Sequence, residues 1–251
     1  MDVAERIALG VVDAERKRRE RVVGAEVLEL DGYVLAFSNQ PDPALNGVAV
    51  AREPLDPVGS LRLAEAECAR REQPLGVELQ RGRHPSVDAA VRTLGLSLVI
   101  ERPAMAADPA ALTDAPSPHE VEIRPVTTDA DVEALVTVGV AAFDDDPQVG
   151  RAVYGAGARG VDGVRTFVAW EGGDPVGISA GYLVRGAVSV MGVAVVPQAR
   201  RRGIGAALTV HAARCFPGAD LAWLHPSEMA RPLYEGLGFS AVSDWEIRVR
   251  D

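Results

Sequence analysis

The chain has 251 residues, 47% hydrophobic and 25% charged, a globular composition that excludes a disordered chain, a collagen or a coiled coil and leaves room for one large domain or two modest ones. Its 26 basic and 36 acidic residues give a formal net charge of −10, which repels phosphate backbones, so nucleic acid is not an expected partner. The longest nearly apolar run, 187–196, is about half of the roughly 20 residues a membrane helix needs, so no membrane is expected either.

Along the chain, Asp2 and Glu5 precede a short apolar run at 7–12, unlike the basic start and longer apolar core of a signal peptide. The two cysteines, Cys68 and Cys215, form no CxxC pair and no metal-ligand spacing with histidine. They read as buried hydrophobes in a reducing cytoplasm. The first twenty or so residues predict a helix with Val3, Ile7, Val11 and Val12 on one face, by the spacing of a buried helical stripe. Two short β runs at 26–30 and 33–37 flank Asp31-Gly32, a strong hairpin signal. A helix at 56–71, a strand at 76–80, a helix at 86–93 and a strand at 96–100 follow. Residues 103–119, with Pro103, Pro109, Pro116 and Pro118, read as a linker or wrapping segment.

Beyond it a strand at 121–125 leads to a helix capped by Thr127 or Thr128 and running to Phe143. Runs at 165–170, 175–184 and 188–196 predict a three-stranded meander. A helix at 203–215, a strand at 221–224, a helix at 227–236 and a strand at 244–249 complete the chain. Trp223 and Trp245 fall on strands and read as core aromatics. A weak echo joins the halves: His84-Pro85-Ser86 and Leu94-Gly95-Leu96-Ser97 recur as His225-Pro226-Ser227 and Leu237-Gly238-Phe239-Ser240, which suggests a tandem duplication.

The segment from Val193 to Ala206 carries the chemistry. An apolar strand stops at Pro197, and Arg200, Arg201, Arg202, Gly203, Ile204 and Gly205 open a helix. Glycines there leave no side chain between the first-turn amides and an approaching ligand, and the positive end of the helix dipole favours an anion such as a pyrophosphate. The bland alternative is a helix start that needs tight packing. No Lys-Ser/Thr pair follows the glycines and Leu208 stands where a dinucleotide fingerprint has its third glycine, so neither nucleotide motif fits.

The strand–Pro–Arg200-x-x-Gly203-x-Gly205 sequence, followed by Ser227-x-x-Ala230-x-x-x-Tyr234-x-x-x-Gly238-Phe239, resembles the GNAT superfamily of N-acetyltransferases from Val121 to the C-terminus. The resemblance implies a GNAT-like acyltransferase fold in the α/β class, an α+β mixed sheet in two related halves: 1–105 a degenerate GNAT-like half, 106–119 a linker and 120–251 the catalytic domain. By it, the backbone of Val193, Ala194 and Val195 would pair with the pantetheine arm of acetyl-CoA where two parallel strands splay. Arg201, Arg202, Gly203, Ile204, Gly205 and Ala206 would hold the pyrophosphate, with Arg200 at the family's Arg/Gln position. Tyr234 would protonate the leaving thiolate, as a phenol of ordinary pKa near 10 can.

Two positions depart from the family. Ser227 replaces an asparagine that touches the cofactor arm, and Ala222 stands where some members carry a glutamate base. The base stays open among His225, a water-mediated path and an amine that arrives neutral. The expected acceptor is an amine, a small molecule rather than a protein, and cationic if Asp144, Asp145 and Asp146 line its site rather than a turn. A non-catalytic acyl-CoA sensor or partner module is the rival reading, and no metal is implied.

Overall fold

The computed structural model describes residues 1–22, 24–38, 46–144, 146–155 and 157–250. The chain divides into two compact units, one of Met1–Arg19, Gly24–Ala104 and Ala241–Asp251, the other of Glu20–Val23 and Met105–Ser240. In the first unit, α1 (Val3–Glu20) precedes the hairpin β1 (Glu26–Leu30) and β2 (Tyr33–Phe37), then β3 (Gly47–Val50), α2 (Pro57–Arg70), β4 (Gly76–Gln80), α3 (Pro85–Thr93) and the start of β5 (Ser97–Ala107). Leu30 pairs with Tyr33 across the Asp31-Gly32 turn. Gly32 sits at φ +75, where a Cβ would come within 2.8 Å of the Arg52 carbonyl oxygen. Tyr33, Leu35 and Phe37 point into a core with Leu61, Val77, Leu79, Val87 and Val91, on one face of a strand that is buried on both.

In the second unit β6 (Val121–Pro125) leads to α4 (Asp129–Phe143), the short α5 (Pro147–Gly150) and a π-helical turn (Arg151–Gly155). The meander β7 (Val164–Glu171), β8 (Asp174–Val184) and β9 (Ala187–Val195) follows, then α6 (Ile204–Ala213), β10 (Leu221–Leu224) and α7 (Arg231–Leu237). Thr128 and Asp131 form a reciprocal capping box on α4, one of the two threonines expected there. The last strand, β11 (Ser240–Val249), begins four residues before the expected 244. A meander, a helix, a strand parallel to the last meander strand and a second helix thus occur in both units, because β3 pairs parallel with β4 and β9 with β10.

The units depart from the sequence boundaries 1–105, 106–119 and 120–251 in two places. The segment read as a linker belongs to the second unit. Met105, Ala106 and Ala107 pair antiparallel with Leu224, Trp223 and Ala222, Leu112 is buried in the core beside α7, and the Thr113 N–H donates to the Leu237 carbonyl. Arg214 ties the same segment down through the Pro109 and Leu112 carbonyls and the Asp114 carboxylate. Its proline-rich composition signals the absence of a helix, and says nothing of these partners a hundred residues away. Conversely, 241–251 joins the first unit, because β11 pairs antiparallel with β4 from Trp245↔Gln80 to Val249↔Gly76. That strand fills the β4 edge that β3 leaves open.

Arg214→Ala should therefore lower the free energy of unfolding by about 2 kcal/mol, the order expected for losing two charge-assisted bonds to backbone carbonyls. Urea denaturation measures it, and limited proteolysis should find new cleavage within 108–118. Unchanged stability and an unchanged digest would show that the guanidinium is dispensable to this segment.

Candidate active site

Three consecutive pairs join β9 to β10: Leu221↔Ala187, Ala222↔Val188 and Trp223↔Ser189. β10 ends one residue later at Leu224, whereas β9 runs on to Val195. Past Ser189 the edge of β9 facing β10 has no ladder partner from that strand. On its other edge the register with β8 shifts, from Ala180↔Met191 to Ile178↔Ala194, so Gly192 and Val193 stand opposite Ser179 alone. This is a β-bulge, and Gly192 takes φ +61, a conformation costly for a residue with a Cβ. Sequence reasoning passed over Gly192. The available signal was an isolated glycine inside an apolar strand run, which marks a bulge or a close backbone approach. Val193 and Val195 are half-buried and Ala194 buried, so the strand offers backbone rather than side chains.

After β9 a single 3-10 turn at Pro197–Ala199 leads into the Arg/Gly segment. Arg201 has φ +64 and Gly203 φ +84, so the chain turns twice through the left-handed region before α6 starts at Ile204 with no side-chain cap. For an arginine that conformation costs about 1 kcal/mol. A Cβ on Gly203 would meet nothing within 4 Å, and one on Gly205 only Val195 Cγ2 at 3.8 Å and Leu233 Cδ1 at 4.0 Å. The first-turn amides of Ile204, Gly205 and Ala206 are left without intrahelical acceptors.

The three arginines do different things. Arg200 uses its side chain on two backbone carbonyls, those of Val195 and Ala142, and its own N–H donates to the Pro197 carbonyl. Arg202 grips the Glu171 carboxylate with both Nη atoms, and this pairing holds Glu171 below the usual carboxylate range. Arg201, exposed, has no side-chain hydrogen bond or ion pair among the described residues.

Tyr234 lies on α7, the neighbour of Leu233, whose side chain reaches Gly205. Its ring is buried edge-on against Phe239. Burial pushes its pKa up to about 12 rather than leaving it near 10. Ser227 is exposed, and its carbonyl accepts from the Ala230 and Arg231 N–H groups. Ala222 is fully buried in the core with Val188, Val190 and Leu224. His225 packs its ring against Trp223 at 5.7 Å. Of the acidic run, Asp146 caps α5 through the Gln148 N–H and Asp144 ends α4 at φ +57; Asp145 lies outside the described residues. Both described acids do helix-end work.

The equivalent turn of the first unit is closed. Between β3 and α2, Asp56 accepts from the Gly59 N–H at 2.9 Å and caps the helix. The Glu53 carboxylate accepts from the Ser86 N–H and contacts His84 Nδ1. A carboxylate on the helix start both satisfies its amides and repels a phosphate.

Residues 162–241 match the family model described as the acetyltransferase (GNAT) domain. Among solved structures, the chain is similar to a GCN5-related N-acetyltransferase from Kribbella flavida (TM-score 0.78, 22% identity, 99% of this chain and 96% of that one). It is also similar to a GCN5-related N-acetyltransferase from Sphaerobacter thermophilus (TM-score 0.63, 16% identity, 98% and 92%). A third is a tandem GNAT protein from the clavulanic acid biosynthesis pathway (TM-score 0.60, 17% identity, 87% and 78%). No curated protein matches the sequence.

The buried phenol yields a pH prediction. Because folding raises the pKa of Tyr234 from about 10 to about 12, its contribution is complete below pH 10 and is lost as pH rises toward 12, with a slope of up to about 1.4 kcal/mol per pH unit. Chemical denaturation between pH 9.5 and 11.5 should show a shallower decline for Tyr234→Phe than for the unaltered protein. Equal slopes would mean that the hydroxyl is well solvated.

Proposed function

We propose that this chain is a GNAT-superfamily, acetyl-CoA-dependent N-acetyltransferase whose active half is the second unit and whose first unit is a degenerate copy. The observation that carries this reading is the convergence of two sets of unsatisfied backbone groups, the free edge of β9 and the uncapped start of α6, with Tyr234 on the helix beside them. Extended pantetheine amides suit a strand edge, and a pyrophosphate suits helix-start amides. The residues fit the group, since Gly203 and Gly205 put no Cβ into the space and Arg201 has no partner among the described residues competing for its charge.

Acetyl-CoA supplies an acyl group as a thioester, so that with an amine acceptor a C–N bond forms and the C–S bond breaks. The amides of Arg201 to Ala206 bind phosphate, and the backbone of Val193, Ala194 and the Val195 N–H orient the arm. Amides released by the bulge at Gly192 can stabilise negative charge on a carbonyl oxygen. Tyr234 stays protonated throughout the neutral range. Full proton transfer from a phenol near 12 to the thiolate of a thiol near 8.5 is uphill by about 5 kcal/mol, so Tyr234 supports the departing sulfur by donating a hydrogen bond, and the proton that finally neutralises it comes from the attacking nitrogen.

Isothermal titration should show one acetyl-CoA per chain, because Asp56 closes the first unit's helix start. Gly203→Asp and Gly205→Asp should each weaken binding at least tenfold. Aspartate tolerates the left-handed backbone at 203, so the added charge is what is tested. Two equivalents per chain would overturn the assignment of the first unit, and undiminished affinity in both folded variants would remove the turn from the site.

Tyr234→Phe should keep acetyl-CoA affinity while lowering kcat about 10²-fold, the order expected for losing one hydrogen-bond donor to developing negative charge. Thiol release with a panel of amines reads this out. Tight binding without thiol release for any amine would instead favour a non-catalytic acyl-CoA sensor.

A further inference from the structure

Arg200 leaves the 3-10 turn with extended backbone at φ −65 and ψ 161, and its side chain folds back away from the helix start. Nε donates to the Val195 carbonyl at 3.0 Å and Nη2 to the Ala142 carbonyl at 3.0 Å. Val195 is the last residue of β9. Ala142 lies in the last turn of α4, where a helix leaves its carbonyls without intrahelical donors and where a cation meets the negative end of the dipole. A single planar fork thus bridges the end of the strand that feeds the turn and the end of a helix 58 residues earlier.

The α4 end is itself part of a packed block. Gly139 presses so closely on the Tyr154 ring that a Cβ would lie 2.6 Å from it, and Gly150 on Val140 at 2.2 Å. The Phe143 ring stacks on Tyr154 with planes 8° apart. What Arg200 grips is therefore a body that includes the π-helical turn, rather than a frayed terminus.

We infer that Arg200 is a positioning residue, a latch holding the α4 end against the end of β9 so that the α4 block and the helix-start turn keep a fixed spacing. By taking the Val195 carbonyl, it also ends the open edge of β9. Its catalytic consequence rests on the acetyltransferase reading above; the latch itself does not.

The test compares Arg200→Ala and Arg200→Lys by hydrogen exchange over 141–144, by acetyl-CoA titration and by steady-state kinetics. A lysine keeps the charge but places one compact ammonium where two carbonyls need a fork. Exchange should speed at least tenfold in both variants, kcat should fall about tenfold in both, and acetyl-CoA affinity should change less than threefold in the lysine variant. Arg201→Ala should leave exchange over 141–144 unchanged while weakening acetyl-CoA binding. Unaltered exchange in Arg200→Ala would overturn the latch, as would a loss of acetyl-CoA affinity in Arg200→Ala that lysine restores, since that pattern belongs to a phosphate ligand. If the unaltered protein neither binds acetyl-CoA nor releases thiol, the acetyltransferase reading falls while the exchange comparison still decides the latch.

Discussion

A parallel strand pair that stops short leaves backbone donors and acceptors in need of partners, and this constraint organises the second unit. β9 and β10 share three pairs and part after Ser189 and Trp223. Buried main-chain groups are rarely left unpaired, and an open strand edge is a template for whatever extended chain arrives. The bulge at Gly192 turns the strand just beyond the parting point, and the left-handed residues Arg201 and Gly203 turn it again into α6. Strand edge, bulge and helix start all lie on the same short run of chain, which keeps its ladder with β8 to Val195 while its other edge has left β10.

The first unit shows what happens when the same succession of elements satisfies itself. Its parallel pair, β3 with β4, feeds a helix whose start is capped by Asp56, and Gly59 is where it must be for that carboxylate to reach the backbone, because a Cβ there would lie 2.1 Å from the Asp56 carboxylate. Glycine serves opposite ends in the two units. In one it admits a protein carboxylate to the helix start, and in the other it keeps the helix start bare.

Charge around the turn is more sparing than three consecutive arginines suggest. Arg202 is neutralised by Glu171 across the β7–β8 hairpin, with Glu120 adding to the field, and Arg200 serves two carbonyls. In a chain of net charge −10, attraction for an anion is local. What the turn leaves exposed to an anion is the helix-start amides and Arg201, which takes a left-handed backbone at the turn.

Local chemistry was legible in the sequence. The Asp31-Gly32 hairpin, a threonine cap at 127 or 128, the 175–184 and 188–196 strand runs and the bare helix start at Gly203 each follow from residues a few positions apart, and the paired motifs around Arg200–Gly205 and Tyr234 carry the resemblance to the GNAT superfamily. Partners distant in the chain were not legible. That β11 closes on β4, that Arg214 holds the 109–114 segment, that Arg202 meets Glu171 and Arg200 meets Ala142 all depend on which surfaces the sheet brings together. The raised pKa of Tyr234 belongs with these, since desolvation is a property of the surroundings and a tyrosine in a sequence has none. Propensity and motif are written over three to ten residues, whereas an ion pair or a buried phenol is written by the fold that assembles its neighbours.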